Sequence, residues 1–127
     1  MKIFITGISS GIGKTLTANL ITAGHEVWGV ARRKAALEEL KTTLGSDELR
    51  TSTCDIENLQ EMQEVARQMR NEEFIPDIIV LNAGVHLKNS LNTFDFELYQ
   101  KSLDINLRGA LFWVAEFLQD FLKRNSG

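Results

Sequence analysis

Residues Thr6-Gly7-Ile8-Ser9-Ser10-Gly11-Ile12-Gly13 space their glycines as GxxxGxG between a short apolar run and a stretch of helical periodicity. In that setting Gly7 lets the chain leave a strand in a tight turn, Gly11 lets backbone approach a pyrophosphate, and Gly13 lets a helix pack closely on a sheet. The helix start, with Ser9, Ser10 and Ile12 beside the glycines, offers free N–H groups and a positive dipole end to phosphates. The chemistry expected of this turn is dinucleotide binding, with a purely structural glycine turn as the plain alternative. A rival comes from Gly13-Lys14-Thr15, which looks like the end of the nucleoside-triphosphate loop GxxxxGK[ST]. There the count fails by one, because Ile8 stands where the first glycine belongs and Gly7 comes one residue too early.

Roughly 20 residues beyond such glycines, an NAD site places an acid that binds the ribose 2′-hydroxyl. This sequence has Ala31-Arg32-Arg33 instead. An acid repels a 2′-phosphate, whereas an arginine pairs with it through charge-assisted hydrogen bonds, so Arg32 and Arg33 point to NADP(H). A solvated arginine pair opening a helix is the bland alternative.

These residues need a scaffold, and hydrophobic periodicity supplies one. Strands are expected over Lys2–Thr6, Glu26–Ala31, Leu49–Thr53 and Asp77–Leu81, the last as the most clearly buried. Helices are expected over Ile12–Ala23, over Lys34–Leu44 and from Leu59 onward, where Met62, Val65, Ala66 and Met69 mark one face. After a loop over residues 82–93, Asp95 is the expected N-cap of a long helical pattern that should break near Asn106 or Gly109. Strand and helix alternate throughout, which specifies an α/β fold with a parallel sheet and right-handed crossovers, in strand order 3-2-1-4.

The 127 residues allow one domain, expected over 1–127, but not the two halves of a full dinucleotide-binding fold. A net charge of −3 with interspersed Lys and Arg argues against a nucleic-acid partner. The apolar start is too short for a signal peptide and no stretch is long enough to span a bilayer, so no membrane partner is expected and the cytoplasm is the default location. The one cysteine, Cys54, is expected as a small half-buried apolar residue. His25 is expected in a solvated turn and His86 in a solvated loop, and no residue is a candidate metal ligand.

Taken in order, these motifs resemble those of the short-chain dehydrogenases/reductases along essentially the whole chain. Thr6–Gly13 is similar to that family's TGxxxGxG, and Cys54-Asp55-Ile56 to its acidic residue after the third strand, which meets the adenine amino group. Asn82-Ala83-Gly84 is similar to its NAG motif after the fourth strand, and Asn106 in Asp104-Ile105-Asn106-Leu107 to the asparagine of its catalytic tetrad. The resemblance implies a Rossmann-type sheet, an NADP(H) cofactor and a small-molecule carbonyl or alcohol substrate. Elementary chemistry agrees: a carboxylate such as Asp55 accepts from an adenine N–H, and a small Asn-Ala-Gly turn leaves room for ribose and nicotinamide.

Family members also carry a serine on the fifth strand and a Tyr-x-x-x-Lys pair. This chain stops where the fifth strand should begin, Ser126 falls too early, and the only tyrosine, Tyr99, has Leu103 four residues later. Tyr99 is expected to pack on its helix. The expectation is therefore the cofactor-binding part of an NADP(H)-dependent oxidoreductase, the alternatives being an inactive NADP(H)-binding module and, more remotely, a P-loop NTPase. An open fourth strand and a helix with apolar residues around most of its circumference, from Leu107 to Phe121, imply a homo-oligomer.

Overall fold

The computed structural model describes residues 1–88, 90 and 92–126. Asn89 and Leu91, which fall in the expected loop over 82–93, and Gly127 at the end of the expected domain lie outside the described residues.

Four parallel strands form one sheet in the order β3-β2-β1-β4: β1 Lys2–Thr6, β2 Glu26–Ala31, β3 Leu49–Thr53 and β4 Ile78–Val80. The expected order is the one observed. Alternation along the strands decides which core each residue enters. Phe4, Trp28 and Val30 face one side, where they meet Met62, Val65, Ala66 and Met69 of α3 (Leu59–Asn71) and Trp113 and Phe117 of α5 (Gly109–Arg124). Ile3, Ile5, Val27 and Ala31 face the other, against Leu16 and Leu20 of α1 (Gly11–Thr22) and Leu37 and Leu40 of α2 (Lys34–Leu44). The result is a three-layer α/β/α domain. Trp113 anchors the first core, its ring centroid 4.4 Å from that of Phe4.

Between the layers, Ile8 fills a hole in the middle of β2. A Cβ on Gly29 would collide with Ile8 Cδ1, and Ile8 is wholly buried. The glycine-rich turn is thereby keyed into the sheet.

Two elements differ from expectation. Strand β4 has only three residues, and Ile78 is 40% exposed and Leu81 36% exposed. Its run of apolar residues reads as buried, but the edge position that the expected strand order gives it, with β1 as its one neighbour among the described residues, leaves it partly exposed. The expected helix break is a π turn at Asp104–Arg108, which joins α4 (Phe96–Leu103) to α5 without interrupting the rod. Asp95 caps α4 as expected, accepting from the backbone N–H groups of Glu97 and Leu98. No helix among the described residues is long and apolar enough to cross a membrane.

Candidate functional site

The carboxyl ends of all four strands open into one cavity of about 380 Å³. Open α/β sheets bind their ligands at this end. Its floor is the turn after β1. Gly7 sits at φ +78°, and a Cβ on it would stand 2.8 Å from Ala83 Cα. Its N–H donates to Val30 O at 2.8 Å, and that of Ile8 to the same oxygen at 3.3 Å, tying the turn to β2. Gly13 permits a close approach of backbone to backbone, because any Cβ there would collide with Gly7 O. Ser10 stands at the N-cap of α1 in extended conformation, but its side chain makes no capping bond and the first turn holds no acid. The orphan N–H groups of that turn are thus left for an anion.

Arg32 and Arg33 line the cavity where β2 ends. Arg33 reaches back over the turn, donating from Nη2 to Ser9 O at 3.3 Å and to Ser9 Oγ at 3.2 Å. Among the described residues neither arginine makes an ion pair. An unpaired double positive charge beside a helix start that carries no acid is suited to a phosphate. Lys14, the lysine of the rival triphosphate motif, instead pairs with Glu39 of α2 at 3.5 Å and does not line the cavity.

The wall after β3 is Cys54, Asp55 and Ile56. Asp55 donates its N–H to Glu61 Oε2 at 2.7 Å and accepts from Glu57 N–H through Oδ1 at 3.1 Å, leaving Oδ2 for another donor. Cys54 is wholly buried rather than half-buried, because it sits among Trp28, Val30 and the α3 face. Burial first, then the carboxylates of Glu61 and Asp55, push its thiol up to about 12. It is an apolar wall and not a nucleophile.

The opposite wall is Asn82, Ala83 and Gly84, with Val85 beyond. Asn82 Nδ2 donates to Thr6 O and to Gly7 O, both at 3.1 Å, and Ala83 N–H donates to Thr6 Oγ1 at 3.0 Å. These bonds stitch the loop after β4 to the turn after β1. Asn106 lies behind this wall and does not line the cavity. Its amide makes a two-way pair with Val85, accepting from the N–H and donating to the carbonyl, each at 2.8 Å.

The cavity therefore gathers Gly7, Ser9, Ser10, Ile12, Arg32, Arg33, Asp55, Ile56, Asn82, Ala83 and Gly84, while Gly11, Gly13 and Asn106 support it from outside. Sequence reasoning missed Val30, Ala31, Cys54, Val85 and Ile105, the apolar lining. Ala31, Cys54, Val85 and Ile105 each adjoin a residue read as functional and Val30 lies two residues before Arg32, and that proximity was the available signal. Tyr99 is 49% exposed, its ring 5.8 Å from that of Phe94, so it stands on the surface rather than packed on its helix. No group of three or more His, Cys, Asp or Glu placed to hold a metal occurs among the described residues.

Comparison with known proteins gives concordant matches. The short chain dehydrogenase family profile matches residues 1–127. An NADPH-dependent pterin aldehyde reductase of Arabidopsis thaliana is 32% identical over 98% of this chain and 52% of its own length. An NADP-dependent 3-hydroxy acid dehydrogenase, YdfG, of Escherichia coli is 30% identical over 100% of this chain and 51% of its own length. The solved closed form of a serine dehydrogenase complexed with NADP+ superposes with a TM-score of 0.91 at 30% identity, covering 100% of this chain and 51% of that one. The chain spans about half the length of the curated relatives it matches.

Proposed function

Because the chain belongs to the short chain dehydrogenase family, we propose that residues 1–127 form a single NADP(H)-binding domain serving an oxidoreductase that interconverts carbonyl and alcohol groups. The observation that carries this reading is the unpaired Arg32 and Arg33 at the rim of a cavity floored by the glycine-rich turn. Relatives named for NADPH or NADP, and a neighbouring structure complexed with NADP+, support the same cofactor.

The residues fit such a group. Gly11, at φ +56° with open space at its Cβ position, and the uncapped start of α1 would receive the pyrophosphate, with Ser9, Ser10 and Ile12 alongside. Arg32 and Arg33 would hold the 2′-phosphate, and Asp55 Oδ2 with Ile56 the adenine. Asn82, Ala83 and Gly84 would bound the ribose and nicotinamide, and Asn106 would keep that wall in place through Val85. When bound, the nicotinamide supplies or accepts the hydride.

Titration calorimetry with both nucleotides tests the reading. NADPH should bind more tightly than NADH by about 1–3 kcal/mol. Equal affinities, or an unchanged preference after Arg32→Ala with Arg33→Ala, would remove the NADP assignment.

A second reading has its own observation: the only tyrosine lacks a lysine four residues on, so these residues contain no Tyr-x-x-x-Lys proton donor. The chain by itself would then bind NADPH without reducing ketones or aldehydes, which loss of nicotinamide absorbance across a substrate panel would reveal. We propose further that the chain associates with copies of itself through the outer face of α4 and α5. The cytoplasm is the compartment we propose for it, in keeping with a buried cysteine that has no disulfide partner in these residues.

A further inference from the structure

The π turn at Asp104–Arg108 touches two walls of the cavity that are remote in sequence. On one side Asn106 pairs twice with the backbone of Val85 at 2.8 Å. On the other, Arg108 Nη2 donates to Glu57 O at 3.1 Å. Residues two apart point to nearly opposite sides of a helix, so the turn is a wedge with a grip on each flank. Between them Ile105 is buried against the cavity.

The grip on the flank after β3 is made three times over. Gly109 packs so closely that a Cβ there would stand 2.9 Å from Ile56 O. Lys101 Nζ lies 3.7 Å from Glu57 Oε2. Glu57, held at its carbonyl by Arg108, donates its N–H to Asp55 Oδ1 at 3.1 Å. Asp104 Oδ1, 3.3 Å from Arg108 Nε, aims the guanidinium. Two hydrogen bonds, joined through the Glu57 backbone, thus connect the π turn to the Asp55 carboxylate.

We propose that Arg108 is a positioning residue for the adenine side of the nucleotide, acting through Glu57 to set the rotamer of Asp55. The inference rests on the nucleotide reading above and adds to it a residue outside the cavity. A solvated surface arginine, the plain reading of a side chain 61% exposed, would have no such effect.

Calorimetry on the whole chain with two probes, adenosine 2′,5′-bisphosphate and NADPH, separates the possibilities. Arg108→Ala should weaken both by the same factor, about three- to tenfold, the scale of one ordinary net hydrogen bond, with no loss of thermal stability. Arg108→Lys, which keeps one donor, should recover part of the loss. Asn106→Ala, acting on the other flank, should weaken NADPH more than the bisphosphate. Wild-type affinity of Arg108→Ala for the bisphosphate overturns the positioning role while leaving the nucleotide reading intact. Failure of the wild-type chain to bind either probe overturns both.

Discussion

At the scale of single residues, what a glycine or an arginine does at the site is decided by the partners that the fold brings to it. That Arg33 would fold back onto Ser9, or that Asn106 would clamp Val85 from behind the cavity, depends on distances set by the whole sheet. The depth of Cys54 was misjudged for a similar reason, since the layer that covers it comes from α3 and α5. Its raised ionisation has a consequence for stability. Between about pH 8.5, where an unfolded thiol ionises, and about 12, the folded thiol keeps a proton that the unfolded one has lost. Stability is therefore fully present below that range and falls as pH rises through it, by at most about 1.4 kcal/mol per pH unit. Urea unfolding of wild type and Cys54→Ala from neutral pH to about pH 10.5 should show the wild-type slope steeper, and parallel slopes would contradict the burial.

At the scale of elements, the alternating strands and the α3 face were readable almost to the residue, because period 2 and period 3.6 patterns leave little ambiguity when caps agree with them. Helix α3 illustrates the agreement. Asn58 Oδ1 accepts from the N–H groups of Gln60 and Glu61, Asn58 Nδ2 donates to Glu61 Oε1 at 2.9 Å, and Glu61 Oε2 in turn receives the N–H of Asp55. Asn58→Ala should cost about 1 kcal/mol, read as a lower urea midpoint at unchanged slope. Strand β4 and the π turn were less legible. The edge position of β4 followed from the expected strand order, but its apolar run gives no sign of how much of it stays exposed there, and the extra residue in a π turn leaves the apolar spacing on either side almost undisturbed.

At the scale of the molecule, the apolar residues of α5 surround the helix, so the sequence alone does not say which of them face outward. Packing divides them. Trp113 and Phe117 go to the core, whereas Leu103, Leu107, Leu111, Leu118 and Leu122 stay exposed in a stripe that continues across the π turn. This stripe is the face through which we propose that the chain associates, since exposed apolar patches of this kind favour association. Trp113 is consequently a poor probe of assembly, since replacing it would attack the core. Leu111→Glu with Leu118→Glu leaves the core intact. Size exclusion with light scattering at tens of micromolar should give a dimer or larger species for wild type and a monomer for this variant. A monodisperse wild-type monomer would defeat the proposal.

The seating of Ile8 against Gly29 bears on how fast a ligand is taken up. Loops that must order around a ligand gate its entry, and their observed association rate levels off as ligand concentration rises. Here the start of the turn is already pinned, by the buried Ile8 side chain and by the Asn82 bonds to Thr6 and Gly7 just before it. Little conformational search is left for the encounter. Stopped-flow mixing with NADPH should give a single phase whose rate climbs linearly with concentration, and enlarging Gly29 to alanine, by unseating Ile8, should introduce a plateau.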